Sequence, residues 1–294
     1  MDSVCVIGGS RYFGRRVVER LRDEGVGVTV VNRGSGPAPE GVRQVIADRD
    51  DEDGLRAALA GRSFDVVLDQ VCYTPRQAAA ARRVFAGRTG RYVMTSTAEV
   101  YDLLDDGPCA EDAVDVGARP VRPELPWHDP GYLEAHYGEG KRQAEAVLAA
   151  RPPFEVVAVR TAHVLGGADF TGRLGHYARR MRDGVPIVVH GRPRPATFIS
   201  DVEIAAFLLW AMRASFTGPV NACSDGELDV FGLCEALAAA GAGRAVYTTG
   251  DEVSPFSFER SYGLDNGRAS RLGFGFSHLR EWLPGVAEEA AACA

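Results

Sequence analysis

Apolar and polar positions follow two rhythms along the first 160 residues. Short, mostly apolar runs at residues 4–7, 28–31, 42–47, 64–68, 91–95 and 156–160 have the length of buried strands. Between them apolar residues recur at helical spacing, as Val17, Val18 and Leu21 do behind the first run. Regular alternation of strand and helix predicts an α/β fold with a parallel sheet rather than a bundle or a sandwich. Residues 102–130 break the rhythm with Asp102, Asp105, Asp106, Glu111, Asp112 and Asp115 among five prolines, which reads as a long loop over a pocket mouth. A helix over 132–150 and a strand over 156–160 follow, and from Gly166 the elements become short and irregular. The pattern therefore predicts a dinucleotide-binding domain over 1–165, with 197–215 returning to it. Residues 166–196 and 216–294 form a smaller substrate-binding lobe in this reading.

The first strand runs into Gly8-Gly9-Ser10-Arg11-Tyr12-Phe13-Gly14, so a strand, a glycine turn and a helix N-terminus follow one another. First-turn N–H groups and the helix dipole at such a junction attract a pyrophosphate. Gly8, Ser10, Arg11, Tyr12, Phe13 and Gly14 are accordingly cofactor-binding candidates. The second strand ends at Asn32-Arg33, where a carboxylate would bind the free ribose hydroxyls of NAD. A neutral and a cationic residue there, with Arg11 facing from the turn, predict NADP in preference to NAD. Asp48, after the third strand, is assigned to the adenine amine, with Arg49 beside it, and Gln70 and Thr95 reach the cofactor side from the fourth and fifth strands.

Tyr137 and Lys141 lie four apart on one face of the 132–150 helix, a spacing that lets an ammonium stabilise a tyrosinate. Thr97, from the end of the fifth strand, completes a trio able to orient a carbonyl or alcohol while Tyr137 moves its proton. Glu99 stands between a second acid/base role and a supporting one. Cys72, Trp127, His163, Arg173 and Arg192 are candidates for the substrate, the arginines suggesting an anionic one.

The chain has 294 residues, 46% of them hydrophobic, and a net charge of -7 that offers no global attraction to nucleic acid or an anionic membrane. The N-terminus lacks a signal-peptide pattern, and no run is long enough to span a bilayer, so a cytoplasmic protein is expected. Six scattered cysteines show no metal-like spacing, and no metal is expected.

With its glycine turn and its Thr97, Tyr137 and Lys141, the chain resembles the extended short-chain dehydrogenase/reductases, which include sugar-nucleotide epimerases and dehydratases. Gly8 and Gly14 match the ends of that family's Gly-x-x-Gly-x-x-Gly fingerprint, and Arg11 replaces its middle glycine. The turn and Asn32-Arg33-Gly34 also look like a subgroup that includes chloroplast stem-loop-binding proteins. Residues 160–166 and 198–202 resemble further family segments, incompletely. The resemblance implies a Rossmann-like doubly wound parallel sheet, a nicotinamide beside the trio, its ribose on Lys141, and a homodimer. Ser96-Thr97-Ala98-Glu99 resembles the dehydratases' Thr-Asp-Glu, but Ala98 has no proton to give. Together these readings lead to an NADP-dependent oxidoreductase acting on a carbonyl, imine or alcohol. A redox-neutral epimerase or dehydratase, with Glu99 or His163 as a second acid/base, is the alternative. An RNA-associated role is the third, which the charge balance opposes.

Overall fold

The computed structural model describes residues 1–34, 36–102, 104, 107–167 and 169–294. Asp105 and Asp106 of the acidic loop therefore lie outside the described residues. The first 161 residues hold strands β1 (Ser3–Ile7), β2 (Gly27–Asn32), β3 (Arg43–Ile46), β4 (Phe64–Asp69), β5 (Thr89–Thr97) and β6 (Glu155–Thr161). Helices α1 (Tyr12–Asp23), α2 (Glu52–Ala58), α3 (Pro75–Phe85), α4 (Pro130–Ala135) and α5 (Tyr137–Ala149) lie between them. Beyond these come β7 (His163–Leu165), α6 (Arg173–Arg182), β8 (Ile187–Val188), β9 (Phe198–Ser200), α7 (Asp201–Arg213), β10 (Gly218–Ala222), α8 (Val230–Ala239), β11 (Tyr247–Thr248), α9 (Gly267–Arg271) and α10 (Leu279–Ala292).

Among the described residues seven strands form one sheet in the order β10-β6-β5-β4-β1-β2-β3. The pairings from β3 across to β6 are all parallel. This is the α/β, Rossmann-like doubly wound architecture expected, and the strand order reverses between β1 and β4, where sheets of this kind bind ligands at their carboxyl ends. Register aligns those ends: Ile7 pairs with both Val31 and Asp69, Asp69 with Met94, and Thr97 with Thr161. Residues that follow Ile7, Val31 and Asp69, and those that close β5, therefore emerge along one edge.

Contact clustering divides the chain into two compact units. The first comprises Met1–Leu103, Glu111–Thr161 and Ala205–Val220. Its core includes Cys5, Ile7, Leu55, Val67, Tyr92, Met94 and Leu148, with Tyr92 stacked on Phe154 at 5.2 Å. The second comprises Leu104–Ala110, Ala162–Ile204 and Asn221–Ala294, with its own core of Tyr177, Phe198, Leu233, Leu237 and Phe256 among others. Within it β7 pairs with β9 and β8 with β11. The Asn221 side chain donates to the carbonyls of Cys109 and Asp265, both at 2.8 Å, and so ties in the 104–110 segment.

Two elements differ from the sequence expectation. The helix expected over 132–150 is split at His136, whose backbone (φ −124°, ψ 29°) leaves the helical region, so that α5 begins at Tyr137. Residues 198–200, expected to open a helix, form β9, and α7 starts at Asp201. Among the described residues no helix is long and apolar enough to cross a membrane.

Behind β5 the first unit buries a charged cluster. Arg160 on β6 meets Glu145 on α5 at 2.8 Å, with both side chains almost inaccessible. Glu145 also accepts from the Ser96 hydroxyl, while Arg160 donates to Tyr101 Oη and to the Glu111 carbonyl. A pair so enclosed contributes little net energy, yet losing one partner strands the other charge in a low dielectric. Arg160→Met is expected to cost about 3–5 kcal/mol in urea denaturation, and the double change Glu145→Leu with Arg160→Met to recover much of that loss.

Candidate functional site

The glycine turn is built by close approach. Gly8 and Gly9 adopt φ of +89° and +73°, and the Gly8 amide donates to Val31 O at 2.9 Å. A Cβ on Gly9 would lie 2.6 Å from Val6, and one on Gly14 would collide with the Gln70 side-chain oxygen. Tyr12 also sits in the left-handed region at φ +51°, a strained conformation for a bulky residue, of the kind that clusters at ligand sites. Arg11 at the N-cap of α1 supplies no side-chain hydrogen bond to the first turn. Gln70 Nε2 and Thr95 Oγ1 are buried without a hydrogen-bond partner among the described residues. An uncapped helix start and two orphaned polar groups along one strand edge fit a dinucleotide, with its pyrophosphate at the turn.

Asn32 does not face outward alone. Its Nδ2 donates to Ser10 Oγ at 2.7 Å, and its Oδ1 accepts from Gln44 Nε2 and the Gly34 amide, both at 2.9 Å. Asp48 is exposed and accepts from the Asp50 amide at 2.9 Å, while Asp51 caps α2 through the Gly54 amide. Arg49 is not available to a cofactor. It is buried against Asp69 at 2.8 Å and donates to Gln77 O at 3.1 Å, so the expectation that it binds the dinucleotide is corrected. Asp69 also accepts from Tyr92 Oη and from the Val71 amide.

Lys141 is the centre of the catalytic candidates. Its side chain is buried, and Nζ donates to Thr95 O at 2.7 Å. The ammonium lies 4.5 Å from the Tyr73 ring centroid and 5.8 Å from that of Tyr137. Burial pulls its pKa down from 10.5 to about 8. Of the groups opposing that fall, Asp69 is the effective one, because burial also pushes the Cys72 thiol up to about 11 and keeps it neutral. Tyr137, at the first turn of α5, is half-buried with its ring 6.1 Å from that of Tyr73. Thr97 Oγ1 accepts from the Glu99 amide at 3.2 Å and caps the short helix Ala98–Tyr101, leaving its own O–H to donate.

Two glycines set this arrangement. A Cβ on Gly138 would overlap the Glu99 carbonyl oxygen, and one on Gly140 would stand 2.5 Å from Tyr73 O. Their absence of side chains lets α5 press Tyr137 and Lys141 against the segment after β5 and the loop after β4. On its other side α5 holds the proline-rich loop: Arg142 donates to the carbonyls of Val116, Arg119 and Pro120, and Gln143 accepts from the Arg122 amide.

Other substrate candidates are placed differently from expectation. Cys72 is fully buried in the core of the first unit, so its assignment to substrate is corrected to packing. Trp127 is buried, donates its indole N–H to Arg122 O at 2.7 Å and packs edge-on to Tyr132, so it pins the loop. His163 lies in the second unit, its ring stacked on Phe258 at 4.9 Å with Phe198, Phe256 and Tyr262 around it. Burial, aided by Arg173, lowers its pKa to about 3, so it is a neutral imidazole and cannot serve as the acid proposed for it at ordinary pH. Arg173 lies over the Phe256 ring at 5.0 Å, and Arg192 is exposed. Sequence reasoning missed Tyr73, Asp69 and the two glycines. The glycines carried a signal, since glycine inside a helix costs about 1 kcal/mol against alanine and implies close packing.

Residues 4–86 match the family model described as NAD dependent epimerase/dehydratase family. A 2'-dehydrokanamycin reductase of Streptomyces kanamyceticus is 38% identical over 110 residues, 37% of this chain and 31% of that protein. The chloroplast stem-loop binding protein of 41 kDa b of Arabidopsis thaliana is 24% identical over 204 residues, 63% of this chain and 48% of that one. The matches thus span from about a third to about half the length of these curated relatives. The crystal structure of UDP-glucose 4-epimerase with UDP-glucose from Thermotoga maritima superposes with a TM-score of 0.77 at 18% identity, covering 99% of each chain. At that identity the likeness is one of fold.

Solved structures of this fold that name a bound dinucleotide name NAD. The expectation of NADP, and with it of an NADP-dependent oxidoreductase, is corrected by that finding. Its physical weakness lies in the two arginines on which it stood. Arg11 and Arg33 are both exposed, where solvent screens their charge, and Asn32 is held by Ser10 and Gln44.

Gly138→Ala is expected to destabilise the protein by about 1–3 kcal/mol in urea denaturation, the overlap with Glu99 O forcing α5 outward. Gly90→Ala, whose Cβ would meet nothing within 4 Å, serves as the control and stays near the parent. Lys141 gives a pH signature. Its native pKa lies near 8 and the unfolded value near 10.4, so the unfolded state binds more protons between these limits and stability rises with pH across that window. Below pH 8 the penalty is complete, on the order of 3 kcal/mol. The stability of Lys141→Met relative to the parent should therefore fall by that order between pH 8 and 10.5, measured by paired denaturation curves.

Proposed function

Because the chain belongs to the NAD dependent epimerase/dehydratase family through residues 4–86, we propose that it is an NAD-binding, redox-neutral enzyme of the sugar-nucleotide class, an epimerase or dehydratase. The observation that carries this reading is the convergence of Thr97, Tyr137 and Lys141 at the end of β5, with orphaned Gln70 and Thr95 groups on the same strand edge. NAD, when bound, accepts a hydride from the carbon bearing a sugar hydroxyl and returns it within the same cycle. Gly8, Ser10 and Gly14 form its pyrophosphate turn, and the groups closing β2, β4 and β5 line the rest of its seat.

Tyr137 takes the hydroxyl proton as the ketone forms and gives it back when the alcohol is restored. Lys141 favours the tyrosinate electrostatically and so brings the phenol towards the working range. Thr97, its oxygen already accepting from Glu99 N, donates its O–H to the substrate oxygen and fixes its direction. Ala98 removes the usual acid of water elimination, which favours epimerisation over dehydration, with Glu99 supporting the turn through its backbone. Exposed Arg192 is assigned to the anionic part of the substrate. A cytoplasmic homodimer is the setting this reading carries.

Protein purified without added nucleotide and then denatured should release NAD, identified by mass spectrometry, rather than NADP. Incubated with UDP-glucose or UDP-glucuronic acid, it should yield a product of unchanged mass without net change in reduced dinucleotide. Tyr137→Phe should lower that turnover by roughly 10²–10⁴-fold while nucleotide remains bound. Stoichiometric consumption of NADPH against a ketone of the aminoglycoside type, with no isomerisation of either sugar nucleotide, would overturn the reading.

A further inference from the structure

We propose that Tyr73 is a positioning residue for Lys141, its ring face keeping the buried ammonium charged and directed at Thr95 O, so that Tyr137 is left to the substrate. The ammonium is closer to the Tyr73 ring than to the Tyr137 ring, 4.5 Å against 5.8 Å, and both lie within the range of a cation–π contact. Lys141 has one printed hydrogen-bond acceptor, a neutral carbonyl, for its three donors. The aromatic face therefore supplies negative potential where a buried cation is otherwise short of it.

Tyr73 is held there by its backbone. Its amide donates to Gln77 Oε1 at 2.7 Å, and Gln77 is fixed in turn by Asp50, which accepts from its Nε2 at 2.8 Å. Arg49 donates to Gln77 O and is clamped to Asp69, while the missing Cβ of Gly140 admits the Tyr73 carbonyl to α5. The ring thus belongs to a framework reaching from the end of β3 through β4 to α5. Tyr73 is largely buried, which pushes its phenol above the ordinary value, so the hydroxyl stays neutral and the ring face is the working part.

The charged and titratable groups around Lys141 are few. Asp69, after β4, favours the ammonium and Arg49 opposes it. Cys72 is a neutral thiol, Glu145 one turn along α5 favours the charge, and Tyr137 and Tyr73 flank it. Asp69 and Arg49 largely offset each other as a pair, leaving the Tyr73 face as a distinct contribution. Its consequence for turnover rests on the function proposed above, whereas its effect on Lys141 does not.

The test uses full-length protein with its bound nucleotide, labelled with ¹³C and ¹⁵N at lysine, the Lys141 side-chain signal being assigned through Lys141→Met. Tyr73→Leu should lower the Lys141 titration midpoint by about one pH unit, a tenfold loss of proton affinity, and Tyr73→Phe should leave it in place. Tyr73→Met, closer in volume, should behave as Tyr73→Leu does and serves if the leucine variant fails to fold. A midpoint unmoved in the aliphatic variants, or one that falls equally in Tyr73→Phe, overturns the proposal. The alkaline limb of kcat for sugar-nucleotide turnover should follow the same midpoint. A moved midpoint with an unmoved limb would uphold the role of Tyr73 and overturn that of Lys141 in turnover.

Discussion

A buried ammonium bonded to a single backbone carbonyl sets the terms for the first unit. Lys141 reaches Thr95 O only because β5 runs to its full length and α5 lies close beside it, so strand, helix and loop must all hold their places before the cation is tolerated. Enclosing a charge this way costs stability, which the fall of its pKa to about 8 registers. The cost is met locally by an aromatic face, by Asp69, and by a sheet whose parallel register brings β1, β4 and β5 to one edge. Packing here serves the charge as much as the charge serves packing.

Two further buried ion pairs frame that cation, and their difference is informative. Arg160 with Glu145 joins β6 to α5, and shares its acceptors with Ser96, Tyr101 and Glu111. Arg49 with Asp69 joins the end of β3 to the end of β4 and anchors Gln77 and thus Tyr73. Neither pair is a strong source of net stability in itself, because desolvation offsets attraction. Each instead fixes the direction of an element end. One orients α5 along its length and the other orients the loop that faces it, so the trio is held from two sides.

The fold was legible because its signal is additive. Buried parallel strands produce apolar runs, helices produce a different period, and six repetitions leave few architectures open. Thr97, Tyr137 and Lys141 were legible because spacing and order carried them. Arg49 and Cys72 were misread for a common reason: each follows or precedes a strand end, and sequence position does not reveal whether a side chain turns out to ligand or in to the core. Arg49 turns in to meet Asp69, a residue 20 positions away whose pairing no local pattern announces. The break at His136 was equally hidden, since residues 132–150 have helical composition on both sides of it.

Cofactor preference was the least local property of all. Arg33 and Arg11 invited a reading from charge alone, but charge decides recognition of a phosphate only where geometry and low dielectric give it force. In this chain the polar order at the end of β2 belongs to Asn32, whose amide joins Ser10 of the turn to Gln44 of β3 and, through the Gly36 carbonyl, to the following loop. The arginines stand outside that network on the exposed side. A residue's chemical type thus gave the wrong weight, and its partners gave the right one: the side chain that organises the ribose end of the site is the neutral one, and its three hydrogen bonds leave the neighbouring charges without a fixed seat.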